Sequence, residues 1–263
     1  MIRSTKSLNG FELLATDGAL GNVKDLYFDD VQWNVRYVVV ETGVWLRSRK
    51  VLLSTSVFSG SEWDSSRLLV DLTQEQIRNS PSLDTNEPIA RDEEESLNRY
   101  YGWPIYWNDS AYQGSLAGIG GIVGAVPVGL APSLRSEVAV PAPTPGRQVP
   151  EGDRSLRSVN DVVGYHIEAT DGSIGHIEDF LVDDQTWSLR YCLIDTRNWL
   201  PGKKVLIAPQ WISRIRWSES SAYVDLTRTS IQNSPEYDPE SPLDETYTHR
   251  LHEYYERPHH PGV

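Results

Sequence analysis

The stretch Ala15–Asp30, ATDGALGNVKDLYFDD, returns 154 residues later as Ala169–Asp184, ATDGSIGHIEDFLVDD. The turn formers coincide, and the apolar positions keep the same rhythm. The offset needs no gap as it runs on. It sets Trp33 on Trp187, Arg36-Tyr37 on Arg190-Tyr191, Trp45-Leu46 on Trp199-Leu200 and Lys50-Val51-Leu52 on Lys204-Val205-Leu206. Further along, VDLT at Val70–Thr73 meets Val224–Thr227, Asn79-Ser80-Pro81 meets Asn233-Ser234-Pro235, and Tyr100-Tyr101 meets Tyr254-Tyr255, with the match ending near Pro104 and Pro258. Roughly 35 of about 97 positions are identical over a length typical of one domain, so the chain is a tandem duplication.

Each copy reads as short strands. In Thr16-Asp17-Gly18 the Asp-Gly pair supplies the positive φ of a tight hairpin, and Leu20–Asp29 follows as a strand. A second turn over Asp30–Gln32 leads into NVRYVVVET, a β-branched run suited to a mostly buried strand, and KVLLS and RLLVDLT add further strands. Thr73 and Gln76 have the spacing of a capping box, which predicts a short helix that stops before Pro81; copy two keeps the cap Thr227 but has Ser230 in place of the glutamine. A second helix is expected over DEEESLNRYYGWP, with acids in its first turn and Leu97, Tyr100 and Tyr101 at helical spacing, echoed by Leu251, Tyr254 and Tyr255.

Five or six strands with frequent turns and no long helices between them predict a mainly β chain of two small barrels, each with a short helix and a C-terminal helical and aromatic extension. A barrel also removes exposed sheet edges. The expected layout is one module over residues 1–107, a second over 156–263, and a flexible linker over 108–155 rich in Gly, Pro, Ala and Ser.

The ordered set Asp17-Gly18, Gly21, Asp25, Asp29, Arg36 and Tyr37, matched by Asp171-Gly172, Gly175, Asp179, Asp183, Arg190 and Tyr191, resembles the PRC-barrel domain. That family includes the cytoplasmic domain of the photosynthetic reaction centre H subunit and the C-terminal domain of the ribosome maturation factor RimM. The segment Tyr100–Trp107 also resembles the aromatic tail of bacterial tandem PRC-barrel proteins, from which copy two departs with Glu256-Arg257-Pro258. The resemblance implies docking onto other proteins, with tuning of quinone chemistry in the H subunit, and carries no general catalytic motif. The membrane helix of the H subunit and the other domain of RimM have no counterpart here, so only the generic role transfers.

Bulk properties narrow the function. Apolar residues at 39% and nine tryptophans give a folding composition, while a net charge of −13 and a pI near 4.9 disfavour nucleic-acid partners. Cys192 is the sole cysteine, which rules out an intrachain disulfide and, with an N-terminus unlike a signal peptide, fits a cytoplasmic location. It replaces Val38 of copy one inside an apolar strand, which marks a core residue and not a nucleophile.

Candidate chemistry is sparse. The Asp29-Asp30 and Asp183-Asp184 pairs sit at turns, where Asp bonds its own backbone, in preference to holding a metal. A cross-strand ion pair of Asp25 with Arg36, repeated by Asp179 and Arg190, is a structural reading of those charges. The six histidines, His166, His176, His249, His252, His259 and His260, all fall in the second half and have no histidine counterparts in the first. Catalytic, metal and cofactor residues are therefore expected to be none.

Tyr100, Tyr101, Trp103, Tyr106, Trp107, Tyr254 and Tyr255 are the candidate partner surface, since aromatics anchor interfaces; the competing reading folds them back over the module. Ser110–Leu134 is uncharged and contains Gly120-x-x-x-Gly124, a membrane-helix spacing, but its apolar core is short for a span and holds Pro127. No membrane span is expected, and peripheral contact remains an alternative.

The expected function is a non-catalytic scaffold or adaptor whose protein partner the sequence does not name, with the two copies pairing within a chain or between chains. The alternatives are a membrane-proximal accessory of a photosynthetic or other electron-transfer complex, and a small-molecule or metal-binding module using a cleft between the copies.

Overall fold

A computed structural model describes residues 1–43, 46, 48–81, 89–108, 156–196, 203–239, 241 and 243–256. The readings made for Trp45, Trp199, Leu200, Gly120, Gly124, Pro127, Pro258, His259, His260 and most of the linker lie outside these residues.

Copy one runs β1 (Ile2–Ser4), α1 (Thr5–Leu8), β2 (Glu12–Ala15), β3 (Gly18–Asp29), β4 (Val35–Thr42), β5 (Lys50–Ser54), β6 (Phe58–Glu62), β7 (Arg67–Val70), α2 (Gln74–Arg78) and α3 (Arg91–Tyr101). Copy two repeats it as β8 (Leu156–Ser158), α4 (Val159–Val162), β9 (His166–Ala169), β10 (Gly172–Asp183), β11 (Leu189–Asp195), β12 (Lys204–Ile207), β13 (Ile212–Arg216), β14 (Ser221–Val224), α5 (Arg228–Asn233) and α6 (Glu245–Tyr254). The chain is mainly β.

The local signals act as read. Ala15 pairs with Gly18 across the Thr16-Asp17 turn. The Asp17 side chain then accepts from the Gln74 amide at 2.8 Å, tying the hairpin to the start of α2, as Asp171 does for α5 through Arg228 at 2.7 Å. At Gly21 a Cβ would come within 2.0 Å of the Glu41 carbonyl oxygen, and at Gly175 within 2.1 Å of that of Asp195; only glycine lets β3 and β10 lie so close to the next strand. The capping box at Thr73 forms with Gln76, while Thr227 accepts from the Ser230 amide without the reciprocal bond.

Two seven-stranded sheets result, in the orders β5-β4-β3-β2-β7-β6 and β12-β11-β10-β9-β14-β13. β2 and β7, like β9 and β14, are parallel; the other pairs are antiparallel. Among the described residues β5 and β6 are not paired with each other, nor β12 with β13, so the sheets are open where closed barrels were expected.

The seventh strand of each sheet comes from the other copy. β3 outruns β2, and beyond Tyr27 its free edge takes up β8, with Tyr27, Phe28 and Asp29 opposite Ser158, Arg157 and Leu156. Reciprocally, β1 lies on β10, with Ile2, Arg3 and Ser4 opposite Asp183, Val182 and Leu181. The main hydrophobic core is correspondingly shared: Phe28, Val38 and Leu53 belong to the same buried cluster as Phe180, Cys192 and Leu206, and the Phe28 and Phe180 rings lie 5.8 Å apart. A second cluster under α3, built from Tyr27, Tyr37, Val39, Leu52, Ile89 and Leu97, is completed by Leu156 from β8.

Candidate interaction surfaces

The densest polar construction is the seam between the copies. Asp25, in the middle of β3, accepts from the Ser158 hydroxyl at 2.5 Å and the Asn160 amide at 3.2 Å, while the Asn160 side chain donates to the Lys24 carbonyl at 2.9 Å. Asp179 mirrors it, accepting from the Ser4 hydroxyl, the Thr5 hydroxyl at 2.6 Å and the Lys6 amide at 3.3 Å. Burial pushes the Asp25 carboxyl above its ordinary value despite these donors.

These bonds correct one expectation. Asp25 and Asp179 do not pair with Arg36 and Arg190. Arg36 instead reaches the fully buried Asp29 at 2.8 Å and Gln32 at 2.7 Å, and Arg190 lies 3.7 Å from Asp183. The reason is register: β3 and β4 set Asp25 opposite Val39 and bring the start of β4 back beside the Asp29 turn. Asp29 does form the turn read from the sequence, accepting from the Val31 and Gln32 amides at 3.2 and 2.6 Å.

Two arginines brace the seam. Arg157 in β8 bonds Asp30 of copy one at 3.0 Å, while its guanidinium lies 3.9 Å from the ring centre of Trp217 in its own copy. Arg3 repeats this with Asp184 at 3.5 Å and Trp63 at 4.5 Å. Desolvation raises the Asp30 carboxyl, with Arg157 opposing it.

At the turns that follow, Trp33 and Trp187 both hold a left-handed backbone, φ 59° and 58°, which costs a bulky L-residue about 1–3 kcal/mol. That conformation aims the Trp33 carbonyl at the Leu189 amide and the Trp187 carbonyl at the Val35 amide, each 2.8 Å across the seam. Trp33 also stacks on Phe28, and Trp187 packs on Phe58.

The exchanged strands that build the seam, β1 and β8, lie upstream of Ala15 and Ala169, outside the stretch of closest match. The same offset upstream sets Arg3-Ser4 on Arg157-Ser158 and Gly10 on Gly164, so the signal was present. A cleft of about 120 Å³ opens at the seam, lined among others by Lys6, Asn9, Lys24, Asp25 and Asn160. It is small beside the roughly 300–1,000 Å³ of common ligand pockets.

The candidate aromatics divide. Tyr100 and Tyr254 are the exposed ones, and each hydroxyl donates at 2.8 Å to a carbonyl of the preceding short helix, Gln76 or Ser230. Tyr101 is half-buried and stacks on Trp103 at 4.1 Å, and Tyr255 is buried against Trp211. Tyr106 and Trp107, also half-buried, lie over Arg36 and Arg91, each 4.1 Å from a guanidinium. The cluster therefore folds largely onto its own module, leaving two related exposed tyrosines.

Beneath α3 and α6 lie two buried polar groups. The Tyr37 hydroxyl is 3.0 Å from Glu94 Oε1 and 3.0 Å from Asn98 Oδ1, with Glu94 and Asn98 each 2% exposed. Burial raises the Glu94 carboxyl to about 7, opposed by Arg91 at 3.5 Å. In copy two the Tyr191 hydroxyl meets His252 Nε2 at 3.0 Å. Burial pushes that phenol up to about 12.

Of the other groups considered, Cys192 is fully buried, which raises its thiol well above the ordinary range. His166 and His176 face each other across β9 and β10, and His249 is surface-exposed beside Glu253. Among the described residues no three His, Cys, Asp or Glu side chains cluster as metal ligands, and no helix is long and apolar enough to cross a membrane. No family model matches the chain, and no curated protein matches it.

Proposed function

We propose that this chain is a non-catalytic scaffold of the PRC-barrel type, acting in the cytoplasm and presenting two related faces to protein partners. The seam carries this reading: reciprocal strand exchange, paired carboxylates and paired arginines spend the shared polar residues of both copies on fixing their relative orientation. A protein that holds two modules so firmly is suited to setting the spacing of what docks on it. The faces are those of α3 and α6, where Tyr100 and Tyr254 stand exposed at equivalent positions. Net charge −13 directs the choice of partner away from nucleic acid and toward protein surfaces with basic groups.

The test is photo-crosslinking in the native cell from a reactive residue placed at Tyr100 or Tyr254, with the exposed Asp64 on the β6–β7 turn as control. Discrete adducts of defined mass from the tyrosine positions and none from Asp64 support the scaffold role. Identical patterns from all three positions, or no adducts, count against it.

A further inference from the structure

We propose that Glu94 is a protonation-operated latch for the aromatic tail of copy one: the protonated side chain closes the hydrogen-bond cluster that holds α3 and Trp103–Trp107 against β4, and ionisation loosens it.

The geometry begins with a count of protons. The Tyr37 hydroxyl has one hydrogen, yet two acceptor oxygens, Glu94 Oε1 and Asn98 Oδ1, lie at the same 3.0 Å. A proton on Glu94 resolves this, because Glu94 then donates to Tyr37 and Tyr37 donates to Asn98. An ionised Glu94 keeps both contacts only if the Asn98 amide turns its otherwise unpartnered Nδ2 toward Tyr37, and it then leaves a charge in a site 2% exposed to water. The groups facing Glu94 come from three elements: Arg91 of α3, Tyr37 and Arg36 of β4, and Tyr106 of the tail. Arg36 is already committed to Asp29 and Gln32, and around these lie the apolar side chains Leu52, Ile89, Leu97 and Leu156. Burial outweighs the two cations, which places the change in charge at about pH 7.

The tail is fastened over this site. Trp103 lies 6.4 Å from the Tyr37 ring and stacks on Tyr101, and Tyr106 covers Arg36. Releasing α3 from Tyr37 therefore releases the aromatic surface. Copy two is the internal contrast: Thr248 stands at the Glu94 position and His252, whose Nε2 lies 3.0 Å from the Tyr191 hydroxyl, at that of Asn98, so this cluster contains no carboxyl.

The regulatory meaning rests on the docking role proposed above, but the latch is measured on the free full-length chain, so the two ideas fail separately. Amide hydrogen exchange, corrected for intrinsic rates, is followed in α3 and α6 between pH 5.5 and 8.5. Protection in α3 is expected to fall about tenfold for each pH unit as pH rises from 5.5 toward the Glu94 midpoint near 7 and to level off above it, while α6 shows no such decline. Glu94→Gln is expected to hold α3 at its low-pH protection throughout. Equal pH dependence in both helices, or an unchanged decline in Glu94→Gln, overturns the latch. Carbon-13 titration of the Glu94 carboxyl in the unmodified chain gives a readout that needs no variant. A midpoint near 7 supports the proposal, and one near the ordinary 4.3 overturns it.

Discussion

The seam and the helix caps are built by the same duplication yet differ in what they share. At the seam the decisive side chains occur in both copies: Arg3 and Arg157, Ser4 and Ser158, Asp25 and Asp179, Trp33 and Trp187, Trp63 and Trp217. Under the caps the tyrosines and apolar residues repeat, Tyr37 with Tyr191, Tyr100 with Tyr254 and Leu97 with Leu251, but the polar partners do not: Glu94 faces Thr248 and Asn98 faces His252 in the alignment. A twofold joint uses each residue type twice, once from each side, so one solution serves both halves. A cap faces only its own sheet and what lies outside, and is free to diverge. The shared residues accordingly explain how the two copies are held, and the unshared ones mark where the two faces differ chemically.

The largest effect is expected from attacking both sides of the joint. With a protease site placed within residues 109–155 and then cut, the two pieces should stay together as one particle on sizing, because β1 and β8 cross between them. The same cut in Asp25→Ala/Asp179→Ala should release them. Each deletion strands hydroxyl and amide donors, at about 1–3 kcal/mol for a buried one such as the Thr5 hydroxyl and less for the partly exposed ones. Asp179 should be the costlier single loss, since it also holds the Thr5 hydroxyl, whose counterpart in copy two is Val159. Separation of the unmodified cut chain would refute the joint.

A smaller contrast lies in the braces. Arg157 is 13% exposed and sits 3.0 Å from Asp30, so Arg157→Ala should cost about 2 kcal/mol in urea unfolding. Arg3 is 33% exposed with a 3.5 Å contact, and Arg3→Ala should cost less than about 1 kcal/mol. Equal losses would mean that burial does not decide the strength of these pairs.

Much of this was legible in the residues, and the gaps have physical causes. The hairpin at Asp17-Gly18, the capping box at Thr73 and the two C-terminal helices are local: each depends on residues a few positions apart, and each appears where expected. The strand exchange is not local. Ile2–Ser4 is three residues long, carries no period, and becomes a strand only because β10 offers it an edge. The Asp25–Arg36 expectation failed for a related reason. Which residues oppose one another next to the turn depends on the irregularity between Tyr27 and Phe28, where Arg36 is left without an opposite residue, and that irregularity has no composition of its own. Glu94 and Asn98 were invisible as a site because an acidic first turn is the ordinary pattern of a helix start.

Glu94 next gives a pH dependence of defined sign. Its folded-state pKa lies above the unfolded one, so the stability it contributes is complete below about pH 4.5 and is lost as pH rises through about 7. Urea unfolding of the unmodified chain should weaken by an amount of order 2 kcal/mol between pH 5 and pH 8, and Glu94→Gln should remove most of that slope. The caps differ here as the seam does not, because Thr248 gives copy two no matching loss. A slope unchanged in Glu94→Gln would assign the pH dependence elsewhere.

The smallest effect probes what the caps do share. Tyr100 and Tyr254 each donate one hydrogen bond to a carbonyl of the short helix beside them, at 2.8 Å and near solvent. Removing the hydroxyl leaves an acceptor that water can reach, so Tyr100→Phe and Tyr254→Phe should each cost only about 0.5 kcal/mol. The two costs should be equal within error, because the ring environment also repeats: Tyr100 meets Tyr101, and Tyr254 meets Tyr255, edge to face at 4.8 and 5.0 Å. The informative result is their behaviour with pH. If the latch opens α3 as Glu94 ionises, the Tyr100 bond is already broken in part at pH 8, and Tyr100→Phe should cost less there than at pH 5.5. Tyr254→Phe should cost the same at both. A matched pH response in the two variants would show that the caps move alike, and the contrast between the faces would then rest on their surface chemistry alone.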